Sequence, residues 1–345
     1  MATCLVALGS NVGDRFAQLE RAIQRLDDHP SITVAERSAW FRTVPVGGPP
    51  EQGEFVNAAI RVQTSLSPEA LFLVLREVES DLGRQRRKRW AARMVDLDLL
   101  LFDDLIQKTP QLEIPHPRLA FRRFVLEPAA EVARDMLHPV VGWTIGRLLD
   151  HLNRAVDYVA LTGLPGVGKT ELARKVAERA SVRLIEDVAD EVLPASTQED
   201  GASNPAAVEL GLLQRRGQLL AAQDWSQEPS AGISDFWIGQ SLAYGRLFSS
   251  HDVQTDVEGA WRSLEGQIGS PKLLVLLDAP AKWLIERGAT NLPPSLMNSA
   301  DQLERLRSEL TDVAFHSRHG PVLQLDATQP EWALTELTAA IEAMR

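Results

Sequence analysis

The spacing of apolar residues divides the first half of the chain into strands and helices. Residues 3–10, TCLVALGS, make an apolar run closed by Gly9, which predicts a buried strand. Asn11–Asp14 turns the chain and caps a helix in which Phe16, Leu19, Ile23 and Leu26 recur at helical spacing. SITVAERSAWF and EFVNAAIRVQT read as two strands, separated by the Pro/Gly-rich loop TVPVGGPPEQG. Pro68–Leu82 carries Leu71, Leu75, Val78 and Leu82 on one helical face, and a basic stretch leads from it into the strand VDLDLLLF. In the second half, VDYVALT, VRLIED, AGISDF, KLLVLLDA and PVLQLDA read as strands with helical stretches between them.

The first half therefore runs β-α-β-β-α-β, the order of a ferredoxin-like α+β sandwich. The second alternates strands and helices, which predicts an α/β domain with a parallel sheet and ligands at the strand C-termini. Charge separates the halves as well. Residues 1–154 hold 20 Lys+Arg and 20 Asp+Glu, whereas residues 155–345 hold 16 and 27, the whole of the net −11. We place the boundary near Asn153–Asp157, giving domains of residues 1–154 and 155–345. The acidic balance argues against nucleic-acid binding, which needs a basic face. One cysteine, Cys4, excludes a disulfide framework and fits a reducing, cytoplasmic setting. The start lacks a signal-peptide pattern, and no apolar run approaches the ~18 residues of a membrane span, so no membrane partner is expected.

Candidate chemistry in the first half gathers at GRQRRKRWAARMVDLDLLLF. Asp96 and Asp98 stand two apart on a strand, so both side chains leave the same face. Paired carboxylates suit a hard divalent ion such as Mg²⁺. An exposed polar strand face is the other reading, and the apolar Leu97, Leu99, Leu100 and Leu101 weigh against it. Arg84, Arg86, Arg87, Lys88, Arg89 and Arg93 put six cations in ten residues just before this strand. Alone they read as a solvated loop; beside a carboxylate pair they suit phosphate binding.

RWAARMVDLDLL resembles the signature of the 6-hydroxymethyl-7,8-dihydropterin pyrophosphokinase family. ALGSN, FRTVPVGGP, FVNAA and IPHPRLAFRRFVLEP add matches in the same order, so the resemblance covers residues 3 to about 152. It implies transfer of pyrophosphate from ATP to the pterin hydroxymethyl group, with release of AMP. It implies two Mg²⁺ ions on Asp96 and Asp98, and phosphate contacts or loop ordering by Arg84, Arg93 and Arg122. Glu79, Trp90 and His116 would frame the ATP. Phe55 and Phe124 would stack on the pterin, Asn57 would read its edge, and Thr43 would lie close by. Ala91-Ala92 depart from the commoner Gly-Pro, and Phe121 and Arg123 depart from smaller or polar residues.

In the second half, Gly163-Leu-Pro-Gly166-Val-Gly168-Lys169-Thr170 fits G-x-x-x-x-G-K-[ST] between a strand and a helix. Its backbone N–H groups would cradle phosphates, Lys169 would reach the β/γ pair, and Thr170 would ligate Mg²⁺. Glu186 and Asp235 end strands beside it, and Glu186 is the candidate general base. This half resembles the deoxynucleoside kinase group over about residues 157–343. The resemblance gives Gln214 a nucleobase contact and makes Arg287 the first arginine of a lid. The arginine common after Asp235 is Phe236 here. The expectation is a fusion: a pterin pyrophosphokinase followed by a domain that binds a nucleoside triphosphate, or one that also phosphorylates deoxynucleosides. A homodimer through the second domain is carried with it.

Overall fold

The computed structural model describes residues 1–48, 52–83, 93–188, 205–248, 251–288, 300–316 and 320–345. Contacts divide the chain into two compact units, Met1–Asn153 with Glu342–Arg345, and Arg154–Ile341. No helix among the described residues is long and apolar enough to cross a membrane.

In the first unit, β1 (Ala2–Ser10), β2 (Ile32–Arg37), β3 (Phe41–Thr43), β4 (Phe55–Thr64) and β5 (Asp96–Phe102) form one antiparallel sheet in the order β2-β4-β1-β5, with β3 also on β4. The segment SITVAERSAWF thus holds β2 and only the first residue of β3, which continues to Thr43. Its pairing with β4 shifts register between Val34 and Glu36, and the chain leaves the sheet before Phe41. Helix α1 (Arg15–Asp27) is capped by Asp14, which accepts the Ala17 N–H. Helix α2 (Pro68–Asp81) is capped by Ser67, with Pro68 in its first turn. Leu19, Leu26, Leu71 and Leu75 from these helices bury against Val6, Leu8, Ile60 and Leu97 on one sheet face.

Beyond the sheet lie the short pair β6 (Gln107–Lys108) and β7 (Glu113–Ile114), helix α3 (Arg123–Ala133), the pair β8 (Leu137–His138) and β9 (Trp143–Thr144), and helix α4 (Ile145–Arg154).

In the second unit, β10 (Val156–Thr162), β11 (Arg183–Ile185), β12 (Gly232–Ser234), β13 (Pro271–Asp278) and β14 (Val322–Asp326) form a parallel sheet in the order β11-β12-β10-β13-β14. Its helices are α5 (Lys169–Ala180), α6 (Pro205–Ala221), α7 (Gln240–Phe248), α8 (His251–Ile268), α9 (Ala281–Glu286), α10 (Ala300–His316) and α11 (Pro330–Met344). Strand β10 is central and runs straight into the glycine-rich loop, so the loop opens at the C-terminal edge of the sheet.

His138 shows how burial couples this fold to pH. It is 6% exposed, and its Nδ1 accepts the Val141 N–H at 3.3 Å, a bond only the neutral ring can make. Burial pushes its pKa down to about 4. The unfolded chain takes up that proton near pH 6.5, so folding is favoured above 6.5 and loses support as pH falls towards 4. We expect an NMR titration midpoint near 4 for the His138 ring. Between pH 7 and 5 this group should cost about 2 kcal/mol of stability, and His138→Gln should remove that slope from urea unfolding curves.

Candidate active site

The pleat of the first unit sorts its chemistry from its core. On β4, Val56, Ala58 and Ile60 are buried with the helices, so Phe55 and Asn57 face the other way. On β5 the same alternation buries Leu97 and Leu99 and turns Asp96 and Asp98 to that opposite face. Central β1 pairs Gly9 with Asn57 on one side and Asp96 on the other, while Ala7 pairs with Asp98. A short row across three strands thus brings an amide and two carboxylates together from positions some 40 residues apart. Gly9 keeps the row open: a Cβ there would meet the Asn57 Oδ1 at 3.1 Å.

Thr43, Phe55, Asn57, Arg93, Asp96, Asp98, His116, Arg122 and Phe124 all line one cleft on this face. Asn57 Nδ2 donates to the Thr43 Oγ at 2.8 Å, which fixes the amide orientation. The Arg93 guanidinium pairs with Asp96. The Arg122 guanidinium carbon lies 5.5 Å from the Phe124 ring centre. His116 Nδ1 accepts the Arg118 N–H at 3.2 Å, which assigns the ring proton to Nε2, 4.0 Å from the Asp98 Oδ2. Burial, then the charges of Arg122 and Arg118, push the His116 pKa down to about 3, so the ring is a neutral donor near pH 7.

Three residues that sequence reasoning did not single out complete the cleft. Arg118 and Gln52 line it. Asn11 ties its loops together: its Oδ1 accepts the Arg93 N–H at 2.7 Å, its own N–H donates to the Arg93 carbonyl at 3.1 Å, and its Nδ2 donates to the Gln52 Oε1 at 3.1 Å. The turn read at Asn11–Asp14 already includes this position, but its partners stand 41 and 82 residues away. Arg84 and Trp90 lie outside the described residues.

Glu79 does not frame the cleft. Its side chain is 1% exposed on the sheet side of α2, and its Oε1 accepts the Leu97 N–H at 2.7 Å. Leu97 separates the two aspartates, so Glu79 holds the strand that carries them from behind.

In the second unit, Gly163, Gly166 and Gly168 all adopt positive φ, and a Cβ on Gly163 would strike the Leu277 carbonyl at 2.2 Å. Lys169 opens α5, and its ammonium donates to the Gly163 and Leu164 carbonyls, both at 3.0 Å. Burial lowers its pKa to about 8, against the charges of Asp187 and Asp235. Thr170 Oγ donates to the Asp235 Oδ2 at 2.5 Å, and the Asp235 Oδ1 accepts the Asp187 N–H at 2.7 Å.

Glu186 is not in this cluster. It forms a half-exposed pair with Arg174 at 2.8 Å, and the neighbouring Asp187 occupies the inner position instead. Both residues lie just past the end of β11, and it is Asp187 whose N–H reaches the Asp235 carboxylate. Gln214 is exposed, whereas Arg216 is buried and forked onto Asp187. Arg287 is exposed beyond α9, 4.6 Å from the Trp283 ring centre.

Comparison with known proteins gives the following. The profile of the 7,8-dihydro-6-hydroxymethylpterin-pyrophosphokinase family matches residues 5–134. A 2-amino-4-hydroxy-6-hydroxymethyldihydropteridine pyrophosphokinase of Bacillus subtilis is 43% identical over 131 residues, which cover 38% of this chain and 78% of that protein. One from Aquifex aeolicus is 38% identical over 144 residues, covering 41% of this chain and 86% of that protein. Among solved structures, deoxyadenosine kinase from M. mycoides is similar with a TM-score of 0.43 at 14% identity, covering 52% of this chain and 97% of that one.

The Glu79 bond gives a direct test of how the aspartates are held. Glu79→Ala leaves the Leu97 N–H buried without its acceptor and should cost about 1–3 kcal/mol in urea unfolding of the first unit. Glu79→Gln keeps an acceptor oxygen and should cost clearly less. Equal losses would mean that the carboxylate charge, not the hydrogen bond, matters there.

Proposed function

The chain belongs to the 7,8-dihydro-6-hydroxymethylpterin-pyrophosphokinase family, and from this we infer that residues 1–154 join ATP and a dihydropterin alcohol in the cleft lined by Asn57, Asp96 and Phe124. It is an ATP-dependent pyrophosphotransferase of folate biosynthesis. The hydroxymethyl oxygen bonds to the β-phosphorus, the bond to the α-phosphate oxygen breaks, AMP leaves and the hydroxyl proton is released. The observation that supports this reading is the row Asn57–Gly9–Asp96, which sets an amide beside a carboxylate in one cleft.

Phe55 and Phe124 offer aromatic faces to the flat ring, worth ~0.5–1.5 kcal/mol per stacked pair beyond burial. Asn57, oriented by Thr43, presents donor and acceptor to its edge. Arg93, Arg122 and neutral His116 face the phosphates, and Arg84 and Trp90 join them by resemblance to the family. Asp96 and Asp98 fit Mg²⁺. They are hard oxygen donors on one face, and among the described residues no group of three or more acidic, His or Cys side chains forms, so phosphate and water oxygens would complete the shell. Two ions are proposed there. Bound Mg²⁺ would offset the phosphate charge that builds during transfer.

Residues 155–345 bind a nucleoside triphosphate in this reading. The loop Gly163–Thr170 wraps the phosphates, Lys169 neutralises them, and Thr170 is the Mg²⁺ ligand.

Nucleotide products separate the two sites. With ATP, Mg²⁺ and 6-hydroxymethyl-7,8-dihydropterin, the full chain should release AMP, and ADP in its place would overturn the assignment. Asp98→Ala should slow that release by about 10²-fold or more. Gly9→Ala should raise the KM for the pterin about tenfold, a cost of ~1.4 kcal/mol, because it crowds the Asn57 amide, with little change for ATP. Lys169→Ala should leave AMP release intact while calorimetry shows one ATP site fewer.

A further inference from the structure

Two walls of the first unit's cleft are built from backbone that no sheet or helix ladder fixes, and such backbone keeps its place only through specific partners. One wall is the segment after β3, where Thr43, Val44 and Val46 line the cleft. Val44 is 73% exposed, so its side chain does not tie this segment to the core. The other wall is the start of α3, with Arg122 and Phe124.

Both walls meet residues from far along the chain. Glu342–Arg345 belong to the first unit, although residues 154–341 intervene. The Glu342 Oε2 accepts the Gly47 N–H at 3.0 Å, across 295 residues of sequence. Arg123 stands between Arg122 and Phe124, and its Nε donates to the Met344 carbonyl at 3.3 Å. That carbonyl is one of the last four of α11, which find no partner inside their own helix. A guanidinium also suits the negative end of a helix dipole. The end of α11 is thereby fixed on α3, and the Glu342 carboxylate with it.

From Gly47 the bonds run on into the cleft. The Gly47 carbonyl accepts from the Gln52 Nε2 at 3.4 Å, the Gln52 Oε1 accepts from the Asn11 Nδ2 at 3.1 Å, and Asn11 holds the Arg93 backbone. Gly47 is therefore gripped on both sides, by an amide on its carbonyl and by a carboxylate on its N–H. A bond to an ionised acceptor is the stronger kind, so Glu342 is the firmer anchor.

We propose that Glu342 is a positioning residue for the dihydropterin: its carboxylate holds Gly47, and through Gly47 the cleft-lining segment Thr43–Val46, in place before the ring binds. It touches neither substrate. The proposal rests on the reading of this cleft as the pterin site. It makes that site depend on a residue far outside the stretch 5–134 that the family profile matches.

The test uses the full chain with ATP, Mg²⁺ and 6-hydroxymethyl-7,8-dihydropterin, scoring AMP. Glu342→Ala should raise the KM for the dihydropterin about tenfold, because a segment without its anchor must be ordered each time the ring binds. The kcat and the KM for ATP should stay within about threefold, since Asp96, Asp98 and the Asn11 hold on Arg93 are untouched. Glu342→Gln keeps an oxygen at the same reach and should bring the dihydropterin KM back to within about threefold of the wild type. Glu342→Asp keeps the charge but draws the oxygen back by about 1.5 Å, and should resemble Glu342→Ala. A dihydropterin KM that rises less than about threefold in Glu342→Ala overturns the proposal. So does an equal rise for ATP, the mark of a general loosening, and so does a Glu342→Gln chain as impaired as Glu342→Ala. Should Glu342→Ala fail to fold, Glu342→Asp decides: a KM raised for the dihydropterin alone upholds the role, and an unchanged KM ends it. A wild type that releases no AMP overturns the pterin reading of the cleft itself.

Discussion

Strand β1 hydrogen-bonds to β4 on one side and to β5 on the other, and everything in the first unit's cleft depends on that double register. With Gly9 opposite both Asn57 and Asp96, the amide and the carboxylates emerge on one face, and Val6, Leu8, Ile60 and Leu97 on the other. A slip of one residue on either side would exchange the faces, burying aspartates and exposing leucines. The apolar face fixes the register because burying it is favourable at roughly 25 cal/mol per Å². The chemistry is carried along by the pleat.

The second unit meets the same need with different geometry. Parallel strands end at one edge, and the groups that matter sit just past those ends: the glycine-rich loop after β10, Asp187 after β11 and Asp235 after β12. Each is held through a neighbour. Thr170 binds Asp235, Asp235 accepts the Asp187 N–H, and Arg216 grips the Asp187 carboxylate. The network is anchored on α6 and on the loop at once, so its members are placed jointly.

The two units share one device. Glu79 follows Leu71 and Leu75 at four-residue spacing, and Arg216 follows Val208 and Leu212 in the same way. In both cases a charged side chain takes a turn that belongs to the apolar face, is buried by the helix packing, and bonds an aspartate-bearing segment. Burial without a partner would be costly, and the hydrogen bond to Leu97 or Asp187 offsets that cost.

What the sequence determined by itself was everything with a short range. The period of apolar positions marked α1, α2 and the main strands, the charge balance separated the halves, and G-x-x-x-x-G-K-T fixed a loop between strand and helix. The Asp96-x-Asp98 spacing put two carboxylates on one face wherever that strand lay. Contacts across the sequence were decided only by the tertiary structure. Asn11 meets Gln52 and Arg93, Glu79 meets Leu97, and Arg216 meets Asp187, separated by 41, 82, 18 and 29 residues. The break between β2 and β3 and the placing of Asp187, not Glu186, against Asp235 belong to the same class. Periodicity tells which side of an element faces the core, since it repeats within a few residues. Which atoms meet there depends on sheet register and helix packing, and these are set by the whole core at once.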